Sequence, residues 1–325
     1  GAADIRIVMS RLKKNSNTWT KPEEISNESG KAEQNPSLFQ TPKGELWLIH
    51  TAMETRGCTL QEWQQKVQSG KQSGAFAMQH TSVIRRRISY DGGITWEQGE
   101  TLFDTPGSFC RQPIQILSNG RWIIGNWRSI DEHLAFGSDS SVFQLSDDQG
   151  ASWKTVHVPA SRGRVHGNVV ELASGRLLAF FRSRSADYIY ISRSDDYGLT
   201  WSEPKRSTLP NNNASISAIR LHSGRIAIAY NDCRGGNDPH ATIWPYERYP
   251  LTIAISEDEG RTWPYRRHIT TGDGYCGKNN VQYNRRYAYP SLIQTADGLL
   301  HVSYSPGTRQ CIRHLCFPEE IGRAH

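Results

Sequence analysis

The stretch Ser194–Trp201, SDDYGLTW, decides the fold because it is one of a set. The pattern Ser-x-Asp-x-Gly-x-Thr/Ser-Trp recurs at Ser89–Trp96 (SYDGGITW), Ser146–Trp153 (SDDQGASW) and Ser256–Trp263 (SEDEGRTW), with a looser copy at Ser10–Trp19. Each residue type suits a tight turn at the end of a strand. The Asp carboxylate can bond the N–H groups of its own turn, Gly accepts a positive φ, and Trp is large enough to plug the sheet beneath. Four full matches make this an internal Asp-box repeat, and repeats govern the fold.

Between the boxes runs a second repeat, two apolar strands hinged on a glycine. Its copies turn at Gly44 (SLFQTPKGELWLIHT), Gly120 (PIQILSNGRWIIGNW), Gly175 (NVVELASGRLLAFFR), Gly224 (ISAIRLHSGRIAIAY) and Gly298 (SLIQTADGLLHVSYS). Strand, glycine turn, strand, then a further strand with its box make a four-stranded antiparallel blade. The reading is therefore all-β: a six-bladed β-propeller with Asp-box repeats, one domain over residues 1–325. The sixth blade would use strands upstream of Gly1, and Gln310–Phe317 (QCIRHLCF) would close onto the N-terminal strands. Box tryptophans lie 57, 48 and 62 residues apart, so insertions fall in loops. Leu60–Gln68 (LQEWQQKVQ), inside one insertion, is the best helix candidate.

Composition narrows the partners. Hydrophobic residues make up 36 %, and no apolar run of about 18 residues is long enough to span a bilayer. The charge of +6 and the pI near 9.0 favour anionic ligands. Arg85–Arg87 is the tightest basic cluster, but it reads as a solvated strand face rather than a nucleic-acid patch. The six cysteines form no CxxC pair, and His222, His240 and His301 lack partners at ligand spacing, so neither metal nor cofactor is expected. The chain opens Gly1-Ala2-Ala3-Asp4 without a signal peptide, which leaves the compartment open between secreted or periplasmic and cytoplasmic.

The repeat also locates a rim. Nine residues before each hairpin glycine stand Asn35, Arg111, His166, Ser215 and Tyr289; seven after stand Thr51, Trp127, Arg182, Asn231 and Ser305. Antiparallel pairing brings both sets to the same ends of the strands, opposite the boxes. A rim carrying Arg, His, Tyr and Trp suits an acidic sugar, because guanidinium forks grip carboxylates. Asn211–Asn213 reads as a rim loop that either bonds sugar hydroxyls or caps a turn. The segment containing Tyr275, Cys276 and Lys278–Asn280 reads as pocket wall.

These motifs resemble the sialidase (neuraminidase) superfamily, in its divergent Asp-box (BNR repeat) branch, over essentially the whole chain. The resemblance implies three arginines that clamp a sugar carboxylate, a tyrosine nucleophile activated by a glutamate, and an aspartate acid/base. Tyr289, in YPSLIQTADGLLHVSY, falls at the nucleophile. Arg182, in LLAFFRSRS, matches the second clamp arginine, and Arg248, before PLTIAIS, is similar in placement to the third. The family glutamate falls on His166, and the first arginine and the aspartate fall before residue 1.

The expected catalytic residues are thus Tyr289 and His166, and the expected substrate-binding residues are Arg111, Arg182, Arg248, Trp127, Asn231 and Asn35. Three activities fit. The first is an exo-glycosidase acting on a terminal acidic sugar. The second is a lyase that cleaves an acidic polysaccharide at a uronate, as in the similar propellers of some ulvan lyases. The third is a glycan-binding propeller without catalysis.

Overall fold

The computed structural model describes residues 5–13, 16, 18–73, 76–129, 139–238, 240–271, 285–307 and 310–320. The chain forms two compact units, Gly1–Pro113 with Arg128–Ala135, and Ile114–Trp127 with Phe136–His325.

In the first unit β1 (Ile7–Met9) pairs with β2 (Glu23–Ser26), and β3 (Lys31–Gln40), β4 (Leu46–Glu54), β5 (Val83–Ser89) and β6 (Glu100–Phe103) form an antiparallel sheet in chain order. Helix α1 occupies Leu60–Gln68, as the sequence predicts. Thr59 and Glu62 close its first turn reciprocally as a capping box, and its one buried side chain, Trp63, meets Phe76 edge-on. Strand β7 (Ser108–Cys110) completes this unit.

The second unit holds four sheets. The first contains β8 (Gln115–Ile116), β9 (Trp122–Arg128), β10 (Ser140–Ser146) and β11 (Lys154–His157). Then come β12 (Arg164–Ala173), β13 (Arg176–Ser183), β14 (Tyr188–Ser194) and β15 (Lys205–Pro210). The third runs through β16 (Ser217–Arg220), β17 (Ile226–Asn231), β18 (Leu251–Ser256) and β19 (Tyr265–Thr270). The last has three strands, β20 (Tyr287–Gln294), β21 (Leu300–Pro306) and β22 (Arg313–Phe317). Inner strands of successive sheets touch, and side chains stitch them together. Asn168 on β12 donates to the Ala218 carbonyl at 2.9 Å and accepts from its N–H at 2.7 Å. The Ser217 hydroxyl accepts from Leu292 N–H at 3.1 Å.

Five blade sheets are therefore present among the described residues, not the expected six. Two local facts account for the difference. Strand β22 pairs with β21 rather than closing on the N-terminus, and β1 and β2 remain a two-stranded ribbon. The loose copy at Ser10–Trp19 contains no Asp or Gly, and Trp19 is 46 % exposed on a single bridge to Leu12, so no box plugs a blade there.

The four true boxes share one hydrogen-bond pattern. In each, the Ser hydroxyl donates to the Asp at 2.8 Å and accepts the Gly N–H at 2.7–2.9 Å. The Thr or Ser that follows gives both its N–H and its hydroxyl to the same carboxylate. The Ser152 hydroxyl, then its N–H, hold the Asp148 carboxyl down at about 2. At Asp258 burial pushes upward, but the bonds from Thr262 and Ser256 outweigh it and the group also sits at about 2.

The box tryptophans are less uniform than expected. Trp201 and Trp263 are buried, Trp201 stacked on Phe143 at 4.4 Å and Trp263 edge-on to Phe180, whereas Trp96 and Trp153 are only half-buried. Trp96 packs beneath the thin β1–β2 ribbon, against the cluster of Ile7, Ile25 and Leu48.

Trp201→Ala should therefore cost about 3–5 kcal/mol and Trp153→Ala clearly less, as measured by denaturant unfolding. A second expectation concerns acid. The folded Asp148 carboxyl lies below its ordinary 3.8, so its stabilisation is complete above that value and disappears as pH falls through about 2. Asp148→Asn should lower stability near neutrality, and the gap to the parent protein should close across that window in urea melts recorded as a function of pH.

Candidate functional site

The rim begins as a fault in the strands. At Asn35-Pro36, His166-Gly167 and Tyr289-Pro290 the register of β3, β12 and β20 slips, and Asn35, His166 and Tyr289 take φ of 56°, 59° and 55°. Three non-glycine residues at one repeat position in the left-handed region mark a designed bulge that re-aims each side chain. The followers fit the fault. Proline brings no N–H to the ladder, and a Cβ on Gly167 would meet Phe181 at 3.1 Å and Phe143 at 3.2 Å.

In the second unit His166 and Tyr289 meet around Arg182, which is 2 % exposed on β13. Its Nε donates to Asn213 Oδ1 at 2.7 Å and its Nη1 to His166 Nε2 at 3.3 Å. A guanidinium can only donate, so His166 accepts at Nε2 and gives its Nδ1–H to Ser215 Oγ, 3.1 Å away. The imidazole is thereby neutral, and Trp127 lies flat against it at 4.3 Å and 20°. The Tyr289 phenol lies near enough to offset part of the cost of burying the Arg182 charge.

Among the described residues no carboxylate pairs with Arg182. Burial pushes its pKa well below the ordinary value; Arg184 and Arg248, both cationic, push the same way, while Tyr289 pulls back. Arg248 sits over the Tyr289 ring at 5.1 Å. Its segment is tied to the start of β20 by Arg248 N–H to the Arg285 carbonyl and Tyr287 N–H to the Arg248 carbonyl, both 2.8 Å. Tyr289 itself is half-buried and so reachable.

The structure brings His166, Arg182, Arg248, Tyr289 and Trp127 together, but gives them different surroundings. Trp127 is 3 % exposed, a wall behind His166 rather than an open face. Asn231 is fully buried and gives its amide to the Tyr287 carbonyl at 3.0 Å. Asn35 and Arg111 belong to the first unit, Arg111 buried beside Cys110, whose thiol approaches the Asn35 carbonyl at 3.9 Å. Asn211–Asn213 is buried: the Asn211 amide bonds the Ala214 carbonyl locally, while those of Asn212 and Asn213 bond the distant carbonyls of Glu247 and Ile243. The segment with Tyr275, Cys276 and Lys278–Asn280 lies outside the described residues.

Residues 1–302 match the model of the BNR repeat-like domain. The chain belongs to this family. No curated protein sequence matches it. Among solved structures, the BNR domain is similar to the Hadza microbial sialidase Hz136, with 17 % identity and a TM-score of 0.72 over 97 % of this chain and 60 % of that one. It is similar also to the NanB sialidase of Streptococcus pneumoniae (16 % identity, 98 % of this chain and 64 % of that one, TM-score 0.68). A third is the intramolecular trans-sialidase of Ruminococcus gnavus (13 % identity, 99 % and 90 %, TM-score 0.70). The chain spans about 60 % of the length of the first of these. At such identities the likeness establishes the fold, a sialidase-type β-propeller.

Sequence spacing missed three members of this site. Trp244, 47 % exposed, lies over both the Arg182 and Arg184 guanidiniums, at 5.3 and 5.1 Å. Ile243 N–H bonds the Arg184 carbonyl and so fixes the loop that carries Trp244. Arg184 is buried against Asp139, with Nη2 to Oδ2 at 2.7 Å. Arg184 and Trp244 fall outside the nine-before and seven-after positions, and Asp139 pairs across 45 residues. Among the described residues the BNR domain thus gives Arg184 a carboxylate partner and Arg182 none. Asp139→Ala, which strands the Arg184 charge in the interior, should cost about 3–5 kcal/mol in equilibrium unfolding.

Proposed function

We propose that the chain is a carbohydrate-active enzyme that removes a terminal acidic sugar from a glycan, with Tyr289 as nucleophile and Arg182 and Arg248 holding the sugar carboxylate. The observation that carries this reading is the buried Arg182 guanidinium, which meets no carboxylate among the described residues and lies beside the Tyr289 phenol. A ligand carboxylate would supply the missing counter-charge through short, bidentate bonds. The same cations favour the phenolate of Tyr289 over a phenol of ordinary pKa near ~10, which alone is a weak nucleophile. Tyrosine glycosidases of this kind are the recognised exception to the two-carboxylate rule. The sialidase-type fold supports the same reading, and the exposed Trp244 ring offers a sugar face beside the arginines. His166 acts through Arg182, fixing the direction of its fork.

A second reading rests on His166. A neutral imidazole joined through Arg182 to a phenol also fits β-elimination, in which arginine neutralises a uronate carboxylate and the His/Tyr pair carries the C5 proton and the leaving oxygen. Incubation with a panel of sialosides and uronate polysaccharides separates the readings. Hydrolysis releases a saturated acidic sugar, elimination releases an ultraviolet-absorbing unsaturated uronate, and a lectin releases nothing. On the hydrolysed substrate Tyr289→Phe should lower the rate by about 10²–10⁴ while leaving KM within a few-fold. Arg182→Lys should raise KM, since charge persists but the planar fork is lost. Undiminished turnover by Tyr289→Phe would remove Tyr289 from the chemistry.

A further inference from the structure

A separate cluster lies in the first unit, where β2, β3 and β4 come together. The Glu33 and His50 side chains are wholly buried on paired strands, with His50 Nε2 3.2 Å from Glu33 Oε1. Ser26 Oγ donates to the same oxygen at 2.7 Å. Glu33 Oε2 and His50 Nδ1 are buried and have no hydrogen-bond partner among the described residues, a costly state for polar atoms. Glu28, in the turn between β2 and β3, supplies a third group. One oxygen or nitrogen from each of Glu28, Glu33 and His50 lies within 4.8 Å of the other two.

We infer that Glu28, Glu33 and His50 form a binding site for one divalent transition cation of the zinc class. One imidazole and two carboxylates give the mixed N/O donor set that such ions take, whereas calcium and magnesium prefer oxygen alone. Two ligands on a tetrahedral ion with bonds of about 2.0–2.1 Å stand about 3.3 Å apart, close to the His50–Glu33 separation. The outer contacts are also in place. Arg85 Nε holds Glu28 Oε1 at 2.9 Å, leaving the second oxygen of Glu28 for the ion, and Ser26 orients Glu33. The two carboxylates balance the charge of the ion. Three protein ligands leave a fourth position for water.

The test titrates the metal-stripped full chain with Co²⁺ as a spectroscopic stand-in for zinc. The site should take up one ion per chain, with visible d–d bands of low-symmetry four-coordination that Zn²⁺ abolishes. Glu28→Gln alters a side chain at the edge of the cluster and so leaves folding intact; it should weaken binding at least tenfold. His50→Gln should remove it. A control addresses a second group of histidine and cysteine side chains among the described residues, His301, His314 and Cys316, where His301 Nδ1 lies 2.9 Å from His314 Nε2. His301→Ala should leave Co²⁺ affinity unchanged. Failure to take up a stoichiometric ion, full affinity in Glu28→Gln, or loss of binding in His301→Ala would each overturn the assignment.

Discussion

A guanidinium taken out of water without a counter-charge is among the most expensive things a protein interior can hold, and Arg182 meets no carboxylate among the described residues. Its neighbours are arranged to tolerate the charge rather than to cancel it. Asn213 and a neutral His166 accept its hydrogen bonds, Trp244 offers a π face, and the Tyr289 phenol lies close by. Two residues on, just past the end of β13, Arg184 has Asp139 as its partner. Among the described residues a carboxylate faces Arg184 and none faces Arg182, and on this difference the proposal of an acidic ligand rests.

The scaffold bears this cost because its blades are rigid at both ends. At one end the Asp boxes tie each outer turn with four or more bonds to a single carboxylate and serine. At the other, the bulges at Asn35, His166 and Tyr289 turn side chains out of the alternating pleat. A side chain that must point along the rim rather than into the core or solvent needs such a break, and each break is paired with a proline or a closely packed glycine.

Much of this was legible in the chain. The boxes give the architecture, and the hairpin glycines at positions 44, 120, 175, 224 and 298 all adopt the left-handed φ their turns require. The matching runs NPSLFQTPKG from Asn35 and YPSLIQTADG from Tyr289 place two rim residues by repetition alone. What escaped is what depends on long-range pairing. The blade number rests on which strands pair with β22 and β1, and repeat counting does not fix that. Trp244 reaches the site on an irregular loop, and Asp139 meets Arg184 only after two strands have paired. Glu28, Glu33 and His50 have no recognisable ligand spacing, since they converge through the register of β3 and β4. His301 likewise looks isolated until β21 and β22 bring His314 and Cys316 beside it.

The central claim is that Arg182 awaits a carboxylate. Calorimetric titration of the intact chain with an acidic monosaccharide and with its carboxyl-reduced counterpart measures that directly. The two sugars share the ring and its hydroxyls and differ at one carbon, which bears a carboxylate in one and a neutral hydroxymethyl in the other. A charge-assisted bond worth about 1.5–3 kcal/mol predicts that the acidic sugar binds roughly ten to a hundred times more tightly. Equal affinity for the two would contradict the account.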